Sequence, residues 1–295
     1  CSMCSWRRQN LQLPFCEVSG LLREAALLGI KMINFTGGEP TIYRKFSDCL
    51  KVAKALGFSV SVSTNGICEE KAMHCIARYC DTVDISVDHY DAKINDSIRG
   101  RDGALAAALK TIRYLSIKKI KIHINVTVRP DNFSGIHKLI GLLGEHINSI
   151  SFTLVDSSFT GAKELIFGRR EIRDYYLKEV PLIIEEALRQ GIRVRVTPFI
   201  SIPVRPPFAA YLNSDSGRKD YLEKLGSVLG GHYLQKCLHL ERELRINADG
   251  AVSACCYFDD SSVTLGNIRD GGLLGVVTGD KYADFMKGAL RRKLC

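Results

Sequence analysis

The sequence lacks any uninterrupted apolar run close to the roughly 20 residues that a membrane-spanning helix needs. No signal peptide is visible at its start. It also lacks a long basic run with interleaved aromatic residues, because its Lys and Arg residues are dispersed along the chain. The net charge of +9 therefore favours anionic partners in general, but the dispersed pattern argues against nucleic acid as the partner.

The chain is not a small disulfide-stapled protein, although it contains 11 cysteines. Extracellular disulfide frameworks occur in short, loop-rich domains, whereas this chain has 295 residues and is 46% hydrophobic. That length suits one large α/β domain with a smaller appendage. Ligation of a metal or a cluster in a reducing cytosol explains the cysteine count better, and we expect a cytoplasmic protein.

Two short motifs carry the ligand-binding potential of the chain. Cys1 and Cys4 form a C-x-x-C pair, whose thiolates can bind one metal centre or share an iron–sulfur cluster. The apolar run 30–35 predicts a buried strand, and Gly37-Gly38-Glu39-Pro40 follows it. The two glycines allow a ligand to approach the backbone closely, Glu39 offers a carboxylate to a cation, and Pro40 ends the strand. Each motif alone is weak, since Gly-Gly commonly marks a turn and C-x-x-C also occurs in zinc sites and redox pairs.

Strands alternate with helices along the first half of the chain. The helical period appears in residues 16–28, 46–56, 71–79, 103–115 and 134–146, and strand-like runs appear in 30–35, 58–63, 82–87, 120–128 and 149–155. This order predicts a parallel sheet with helices outside it and a ligand site at the carboxyl ends of the strands. Residues 171–190 then predict a long helix interrupted by Pro181, and residues 192–197 predict a further strand.

Together and in this order, the two motifs resemble the core of the radical S-adenosylmethionine (radical SAM) enzymes. In that family three cysteines hold a 4Fe-4S cluster, whose open iron binds S-adenosylmethionine. The resemblance assigns Cys1 and Cys4 to the second and third cysteines and places Met3 beside the adenine. It gives Gly37, Gly38, Glu39 and Pro40 the role of receiving the methionine amino group. The first cysteine is expected upstream of Cys1, since the chain has no initiator methionine and reads as trimmed inside the motif.

The resemblance implies a partial six-stranded (β/α) barrel of TIM type whose first strand precedes Cys1, leaving five strands visible. We expect residues 1–155 to be the radical SAM core, 156–235 to be the end of the barrel and a bridge, and 236–295 to be a small extension. That extension is expected to be a β-hairpin and helix that bind an auxiliary cluster, incomplete at its C-terminus.

Further positions match the family strand by strand. The resemblance places Thr64 and Asn65 near the methionyl group, Ser86 and Asp88 near the ribose and carboxylate, and Asn125 with Val126 in the adenine pocket. Arg99 matches a recurrent arginine that pairs with a carboxylate. Plainer interpretations stay open: Thr64 and Asn65 as ordinary turn residues, Ser86 as a polar strand end, and Arg99 as a surface residue.

The last sixty residues carry a second cysteine pattern. Residues 244–253 predict a hairpin, with Asp249-Gly250 as a two-residue turn. Cys237 and Cys255 flank this hairpin, and Cys295 ends the chain. The pattern resembles the twitch/SPASM extension of radical SAM enzymes, which carries auxiliary 4Fe-4S clusters.

A single auxiliary cluster fits best, because no further C-x-x-C run follows Cys255. Cys256 is a substitute ligand or, more simply, a packed side chain. A structural zinc held by Cys237, Cys255 and Cys295 is the alternative on ligand type. The remaining cysteines are expected to act as small hydrophobic residues.

The resemblance implies an enzyme that cleaves S-adenosylmethionine reductively to a 5′-deoxyadenosyl radical, which abstracts a substrate hydrogen. An auxiliary cluster suits oxidation or cross-linking of a peptide or protein, with electrons delivered by a donor such as flavodoxin or ferredoxin. Three alternatives stay open: a dehydrogenase of small polyols or amino sugars, an enzyme that modifies RNA or a cofactor precursor, and a non-catalytic metal-binding scaffold.

Overall fold

The structure is a computed structural model that describes residues 11–155, 165–197, 243–254 and 264–290, together with residues 216, 219 and 223. In these parts of the chain, no helix combines the length and the apolar character needed to cross a membrane. The described residues form two compact units: residues 61–155 and 165–197 make the first, and residues 11–60, 243–254 and 264–290 make the second.

The order of elements follows the α/β alternation that the sequence predicts. The strands are β1 Met32–Phe35, β2 Ser59–Thr64, β3 Thr82–Ser86, β4 Lys121–Val128, β5 Ser149–Leu154 and β6 Arg193–Thr197. The helices are α1 Phe15–Leu27, α2 Phe46–Ala55, α3 Glu70–Tyr79, α4 Ala92–Arg99, α5 Ala104–Ile117, α6 Lys138–Leu143, α7 Arg169–Asp174 and α8 Val180–Gln190.

The strands form one parallel sheet in the order β1-β2-β3-β4-β5-β6. Chain order and sheet order coincide, and right-handed crossovers then place every connecting helix on the same face of the sheet. This is the arrangement of a barrel opened along one side, and it confirms the predicted fold class. Six strands lie within the described residues: the five predicted for residues 1–155 and the further strand predicted at residues 192–197. That last strand, β6, pairs with β5 and extends the sheet beyond residue 155, which was not predicted.

The two faces of the sheet differ in chemistry. The face towards the helices is apolar, and its side chains are fully or almost fully buried, as at Val62, Val83, Ile124, Ile150 and Phe152. The opposite face is polar, because Ser, Thr, Asp, His, Asn and Arg alternate with those apolar residues along β2 to β6. If both faces of a parallel sheet were covered, the sequences of its strands would be nearly continuous apolar runs. The alternation therefore indicates that one face contacts water or a ligand.

Two helical segments differ from the sequence prediction. Helix α4 was not predicted. Its N-cap is Asp91, whose carboxylate accepts hydrogen bonds from the amides of Lys93 and Ile94, and its C-cap is Gly100 with φ +65°. The predicted interruption near Pro181 lies just before it, as a π-helical turn at Tyr175–Glu179 that separates α7 from α8. Proline lacks an amide hydrogen and crowds the carbonyl four residues earlier, so the wider π turn accommodates it.

The second unit contains the C-terminal extension. Strands β7 Arg245–Ile246, β8 Ala251–Ser253 and β9 Thr264–Asn267 form an antiparallel sheet, followed by helices α9 Gly272–Val277 and α10 Asp280–Leu290. The predicted hairpin is present, but its turn spans residues 247–250 rather than two residues. The Gly250 amide donates to the Asn247 carbonyl at 2.9 Å, and Gly250 takes φ +85°. A longer turn that ends in left-handed glycine is a common alternative to the two-residue form.

Helix α1 packs against this extension. Leu21 of this helix, and Leu13 in the segment before it, contact a buried cluster that includes Val252 and Leu265. The Glu24 carboxylate accepts a hydrogen bond of 3.0 Å from the amide of Leu274, and Glu17 forms an ion pair with Arg269. The extension therefore shares its core with the first helix of the chain.

Candidate functional site

The loop after β1 has the geometry that its glycines predicted. Gly37 has φ +139°, a conformation that other residues rarely adopt, and both Gly37 and Gly38 are exposed. No atom of the described residues lies within 4 Å of the position that a Cβ would take at either glycine. A ligand can therefore approach this backbone closely.

Glu39 stands at the end of this loop with its carboxylate held in place. Its Oε1 accepts hydrogen bonds from the amide of Thr41 at 3.2 Å and from the hydroxyl of Thr41 at 2.6 Å. Pro40 opens the following 3-10 turn, for which Glu39 is the N-cap. An oriented, half-buried carboxylate beside an open backbone edge fits the ammonium group of S-adenosylmethionine.

Thr64 and Asn65 close the turn after β2. The Thr64 hydroxyl accepts a hydrogen bond of 3.2 Å from the Gly66 amide, and the side-chain carbonyl of Asn65 accepts one of 2.7 Å from the Ile67 amide. Thr64 is buried and pairs in register with Ile85 on the helix-facing side of the sheet. These contacts match the plainer interpretation of both residues as turn formers, and their ligand contact stays a prediction.

Ser86 and Asn125 lie side by side, as a shared site requires. They are register partners on β3 and β4, and both belong to the polar face. Asn125 is exposed and Ser86 is half-buried. Val126 is almost fully buried on the opposite face, so the adenine-pocket prediction fits Asn125 and not its neighbour.

Asp88 is the centre of a buried polar network just beyond β3. Its side chain is fully buried; Oδ1 accepts a hydrogen bond of 2.9 Å from the Thr127 amide, and Oδ2 lies 2.8 Å from Nη2 of Arg99. Its backbone amide donates to Asn95 at 3.0 Å, and its backbone carbonyl accepts from Asn132 at 3.0 Å. Burial raises the pKa of the Asp88 carboxyl, and Arg99 limits that rise. The network ties the ends of β3 and β4 and the start of α4 together.

Two titratable residues on the polar face were missed by the sequence analysis. The Asp84 carboxylate on β3 accepts hydrogen bonds of 3.4 Å from the hydroxyls of Ser61 and Ser63, and His123 is its register partner on β4. Nδ1 of His123 lies 2.7 Å from the Ser149 hydroxyl. Burial raises the pKa of Asp84 and lowers the pKa of His123, and the two charges oppose both shifts. The polar–apolar alternation of these strands is the signal that could have revealed them.

The predicted cluster ligands lie outside the described residues. This holds for Cys1, Met3, Cys4, Cys237, Cys255, Cys256 and Cys295. Within the ranges that the structure describes, no group of three or more His, Cys, Asp or Glu side chains is arranged to hold a metal ion. Burial raises the pKa of the Cys49 thiol to about 11, so this cysteine stays protonated and acts as a packed apolar residue. The assignment of the cluster ligands to those cysteines therefore stays a prediction.

Family comparisons agree with both sets of motifs. Residues 1–143 match the radical SAM superfamily, and residues 237–295 match the SPASM iron–sulfur cluster-binding domain. Among curated relatives, the AdoMet-dependent heme synthase of Nitratidesulfovibrio vulgaris is 33% identical over 139 residues, 44% of this chain and 38% of the relative. The mycofactocin maturase MftC of Mycobacterium ulcerans is 28% identical over 165 residues, 55% of this chain and 44% of the relative. The matched region spans less than half of each of these relatives.

Solved structures share the fold over almost the whole chain. SuiB of Streptococcus suis bound to the precursor peptide SuiA gives a TM-score of 0.71 at 19% identity, covering 96% of this chain and 62% of SuiB. The protein anSMEcpe with bound AdoMet gives a TM-score of 0.69 at 15% identity, covering 98% of this chain and 79% of that protein.

The cofactors follow from the two matched domains. A radical SAM domain implies a 4Fe-4S cluster with S-adenosylmethionine, and a SPASM domain implies auxiliary iron–sulfur clusters. The open loop at Gly37-Gly38 and the oriented carboxylate of Glu39 are the features among the described residues that fit this cofactor set. The chain therefore belongs to the radical SAM superfamily and is an enzyme of that superfamily with a C-terminal SPASM-type extension.

Proposed function

We propose that the chain catalyses a radical-based oxidation or cross-linking of a peptide or protein substrate. The observation that carries this proposal is the joint presence of a radical SAM match at residues 1–143 and a SPASM match at residues 237–295. The peptide as substrate is supported by the maturase MftC among the relatives and by SuiB, which was solved with a precursor peptide.

Five of the predicted site residues then have a defined task. Glu39 binds the ammonium of S-adenosylmethionine, because Thr41 already orients its carboxylate. Ser86 and Asn125 offer a hydroxyl and an amide, side by side, to the ribose and adenine. Asp88 and Arg99 pair with each other, so we assign them the task of fixing the end of β3 beside Ser86.

The cysteines divide between two centres in this proposal. Cys1 and Cys4, with a cysteine upstream, hold the cluster that binds S-adenosylmethionine, and Cys237, Cys255 and Cys295 contribute to an auxiliary cluster. When bound, these groups supply a 5′-deoxyadenosyl radical for hydrogen abstraction and an acceptor for the electron left on the substrate. The protein binds and orients the cofactor and the substrate, and it excludes water from the site. A flavodoxin or ferredoxin is the proposed electron donor, and the reducing cytoplasm is the proposed compartment.

Replacement of the cluster ligands tests this function. Cys1→Ala or Cys4→Ala in the full-length protein should abolish formation of 5′-deoxyadenosine under anaerobic reduction, because a three-thiolate site cannot form. Cys16→Ala is the matched control, since Cys16 is a free, exposed cysteine nearby in sequence. Undiminished 5′-deoxyadenosine in either ligand variant would contradict the proposal.

A second candidate is modification of a cofactor precursor. The relatives include heme synthases, and the GTP 3′,8-cyclase of Chlorobaculum tepidum is 28% identical over 148 residues. Incubation of the anaerobically reconstituted enzyme with a porphyrin precursor or GTP distinguishes the two. Substrate-dependent 5′-deoxyadenosine with either small molecule would favour this second function over peptide modification.

A further inference from the structure

Two ionisable residues lie next to each other in the middle of the polar face. Asp84 on β3 and His123 on β4 are register partners, so their Cα atoms are about 4.8 Å apart and their side chains leave the sheet on the same side. Both side chains are half-buried, so part of each is open to the space in front of the face. Since β3 and β4 are the two central strands of the six, a ligand held against this face would contact the pair.

Hydrogen bonds from the flanking strands hold both side chains in place. The hydroxyls of Ser61 and Ser63 on β2 donate to the Asp84 carboxylate at 3.4 Å each. On the other side, Nδ1 of His123 lies 2.7 Å from the Ser149 hydroxyl on β5. An imidazole that is oriented by a hydrogen bond at one nitrogen can react at the other, because the first bond fixes both its tautomer and its direction.

The pair lies beside the residues that we propose to hold the cofactor. Ser86 and Asn125 follow Asp84 and His123 by two residues on the same two strands. They therefore lie on the same face, about 6.6 Å nearer the carboxyl ends of the strands. A substrate bound on the polar face next to the cofactor would thus contact the imidazole.

The charges around the imidazole favour its neutral form at neutral pH. Burial lowers the pKa of His123, and so do the arginines of β6, whereas Asp84 and the Asn125 side chain raise it. A neutral imidazole can accept a proton, and a carboxylate beside it stabilises the imidazolium that forms. Along the described strands, the charged residues that register places on this face are Asp84, Lys121, Arg193 and Arg195.

Hydrogen bonding between strands is the plainer explanation of this row. A second hydroxyl residue in place of His123 would bond to Ser149 equally well, without the cost of partly burying an imidazole. The same holds for Asp84, whose carboxylate is also partly buried. Ionisable side chains held close together in such surroundings are concentrated at functional sites.

We propose that Nε2 of His123 accepts a proton from the substrate during the proposed oxidation, and that Asp84 stabilises the resulting imidazolium. In the tautomer that this requires, Nδ1 donates its hydrogen to Ser149 and Nε2 carries the lone pair. The proposal rests on the proposed function, because it needs a substrate that is oxidised on this face.

The step balances with the cofactors already assigned to the chain. The substrate loses a hydrogen atom to the 5′-deoxyadenosyl radical and one electron to the auxiliary cluster. It also loses one proton, from an O–H or N–H group next to the radical carbon, to His123. Two electrons and two hydrogens thus leave the substrate, and a double bond forms between the carbon and the heteroatom.

The yield of product for each radical formed is the first test. Full-length, anaerobically reconstituted enzyme is incubated with a pool of random peptides, and mass spectrometry measures 5′-deoxyadenosine and the peptides that have lost two hydrogens. His123→Gln should lower the ratio of oxidised peptide to 5′-deoxyadenosine about a hundredfold, which is the lower end of what a positioned general base contributes. Formation of 5′-deoxyadenosine should persist, because hydrogen abstraction precedes the loss of the proton.

His146→Gln is the matched control, since it removes a histidine that pairs with Glu145 outside the polar face. It should leave the ratio unchanged. An unchanged ratio in His123→Gln would overturn the proposal. An equal loss of 5′-deoxyadenosine and product would also overturn it, because His123 would then support the cofactor or the fold.

The pH dependence separates proton transfer from a structural role. In wild type the ratio should fall as the pH drops through the pKa of His123, because the imidazolium cannot accept a proton. Asp84→Asn should move this fall to lower pH, since the carboxylate raises the pKa of His123. Persistence of the same fall in the residual activity of His123→Gln would assign it to another group and contradict the proposal.

Nuclear magnetic resonance of histidine-labelled holoenzyme tests the pair without a substrate. The resonance of His123, assigned by its absence in His123→Gln, should titrate below the ordinary histidine value of about 6.5, and at still lower pH in Asp84→Asn. Titration above the ordinary value would overturn the proposal, because the ring would already be protonated.

The two proposals can fail separately. Persistence of 5′-deoxyadenosine in Cys4→Ala would remove the proposed reaction, although the titration of His123 could still be measured. Conversely, a wild-type ratio of product to 5′-deoxyadenosine in His123→Gln would remove the proton acceptor and leave the radical chemistry intact.

Discussion

At the scale of single residues, the Gly-Gly-Glu motif predicted the conformation of the loop after β1. Gly37, Gly38 and Glu39 have an open backbone and an oriented carboxylate, as the Gly-Gly-Glu motif predicted. What the motif did not show is that Thr41 holds that carboxylate through its amide and its hydroxyl. The orientation of the Glu39 carboxylate is therefore fixed by contacts within the protein itself.

We expect Glu39→Gln to weaken binding of S-adenosylmethionine about tenfold to a hundredfold, because the amide removes a charge-assisted hydrogen bond worth about 1.5–3 kcal/mol. Titration calorimetry of the anaerobic protein measures the change. Glu145→Gln is the control, since the Glu145 side chain is 85% exposed and contacts only His146 among the salt bridges of the described residues. An affinity within twofold of wild type would refute the role of Glu39.

Residue identity alone could not predict which polar groups bind each other. Asp88 was predicted to lie near the ribose and carboxylate of the cofactor, and Arg99 to pair with a carboxylate. The structure pairs the two with each other at 2.8 Å, and their contact with the cofactor stays a prediction. The pairing depends on α4, whose mixed polar sequence gave no clear apolar period and which the sequence analysis therefore missed. Asp84 and His123 were missed for a related reason: their proximity follows from strand register, which is a property of the sheet and not of either residue.

At the scale of elements, the alternation of strands and helices was predictable because apolar periodicity is a local signal. The positions of the turns were predictable for the same reason, since glycine and asparagine favour turns locally, but the length of the β7–β8 turn was not. The assignment of β6 to the sheet was not, because its pairing with β5 spans a long stretch of intervening chain. The π turn before Pro181 was not predictable either. Proline shows where the helix meets a steric conflict, but not that a wider turn relieves it.

The turn after β2 supports an element-scale prediction. Gly66 has φ +79°, and a Cβ there would lie 2.8 Å from Ile85 and 2.9 Å from Ala108. Gly66→Ala should therefore cost about 1–2 kcal/mol in backbone strain and about 1–3 kcal/mol more in overpacking. Urea unfolding followed by circular dichroism measures the loss.

Gly103→Ala separates the two contributions to that cost. Gly103 has φ +75° in the same unit, but no atom lies within 4 Å of its Cβ position among the described residues. It should show the strain without the overpacking. Equal destabilisation by the two variants would show that the contact of Gly66 with α5 does not limit the turn.

At the scale of the whole molecule, the C-terminal extension shares its apolar core with the first helix of the chain. Its apolar cluster includes Leu21 of α1, and Glu24 of the same helix accepts a hydrogen bond from the start of α9. These contacts join residues about 250 positions apart in sequence, which no local pattern could predict. The extension and the first helix of the chain thus fold as parts of one compact unit.

We expect the N-terminal and C-terminal metal centres to have different functions, which can be tested separately. Cys237 and Cys255 flank the β7–β8 hairpin, whose turn at residues 247–250 reverses the chain between them. We expect the variant Cys237→Ala/Cys255→Ala to lose about four irons together with substrate turnover, since thiolates hold iron–sulfur clusters. It should still form some 5′-deoxyadenosine without substrate, because the N-terminal cysteines remain. Zinc in the anaerobically purified wild type, with no iron lost in the variant, would instead establish a structural zinc site, which takes the same thiolate ligands but accepts no electron.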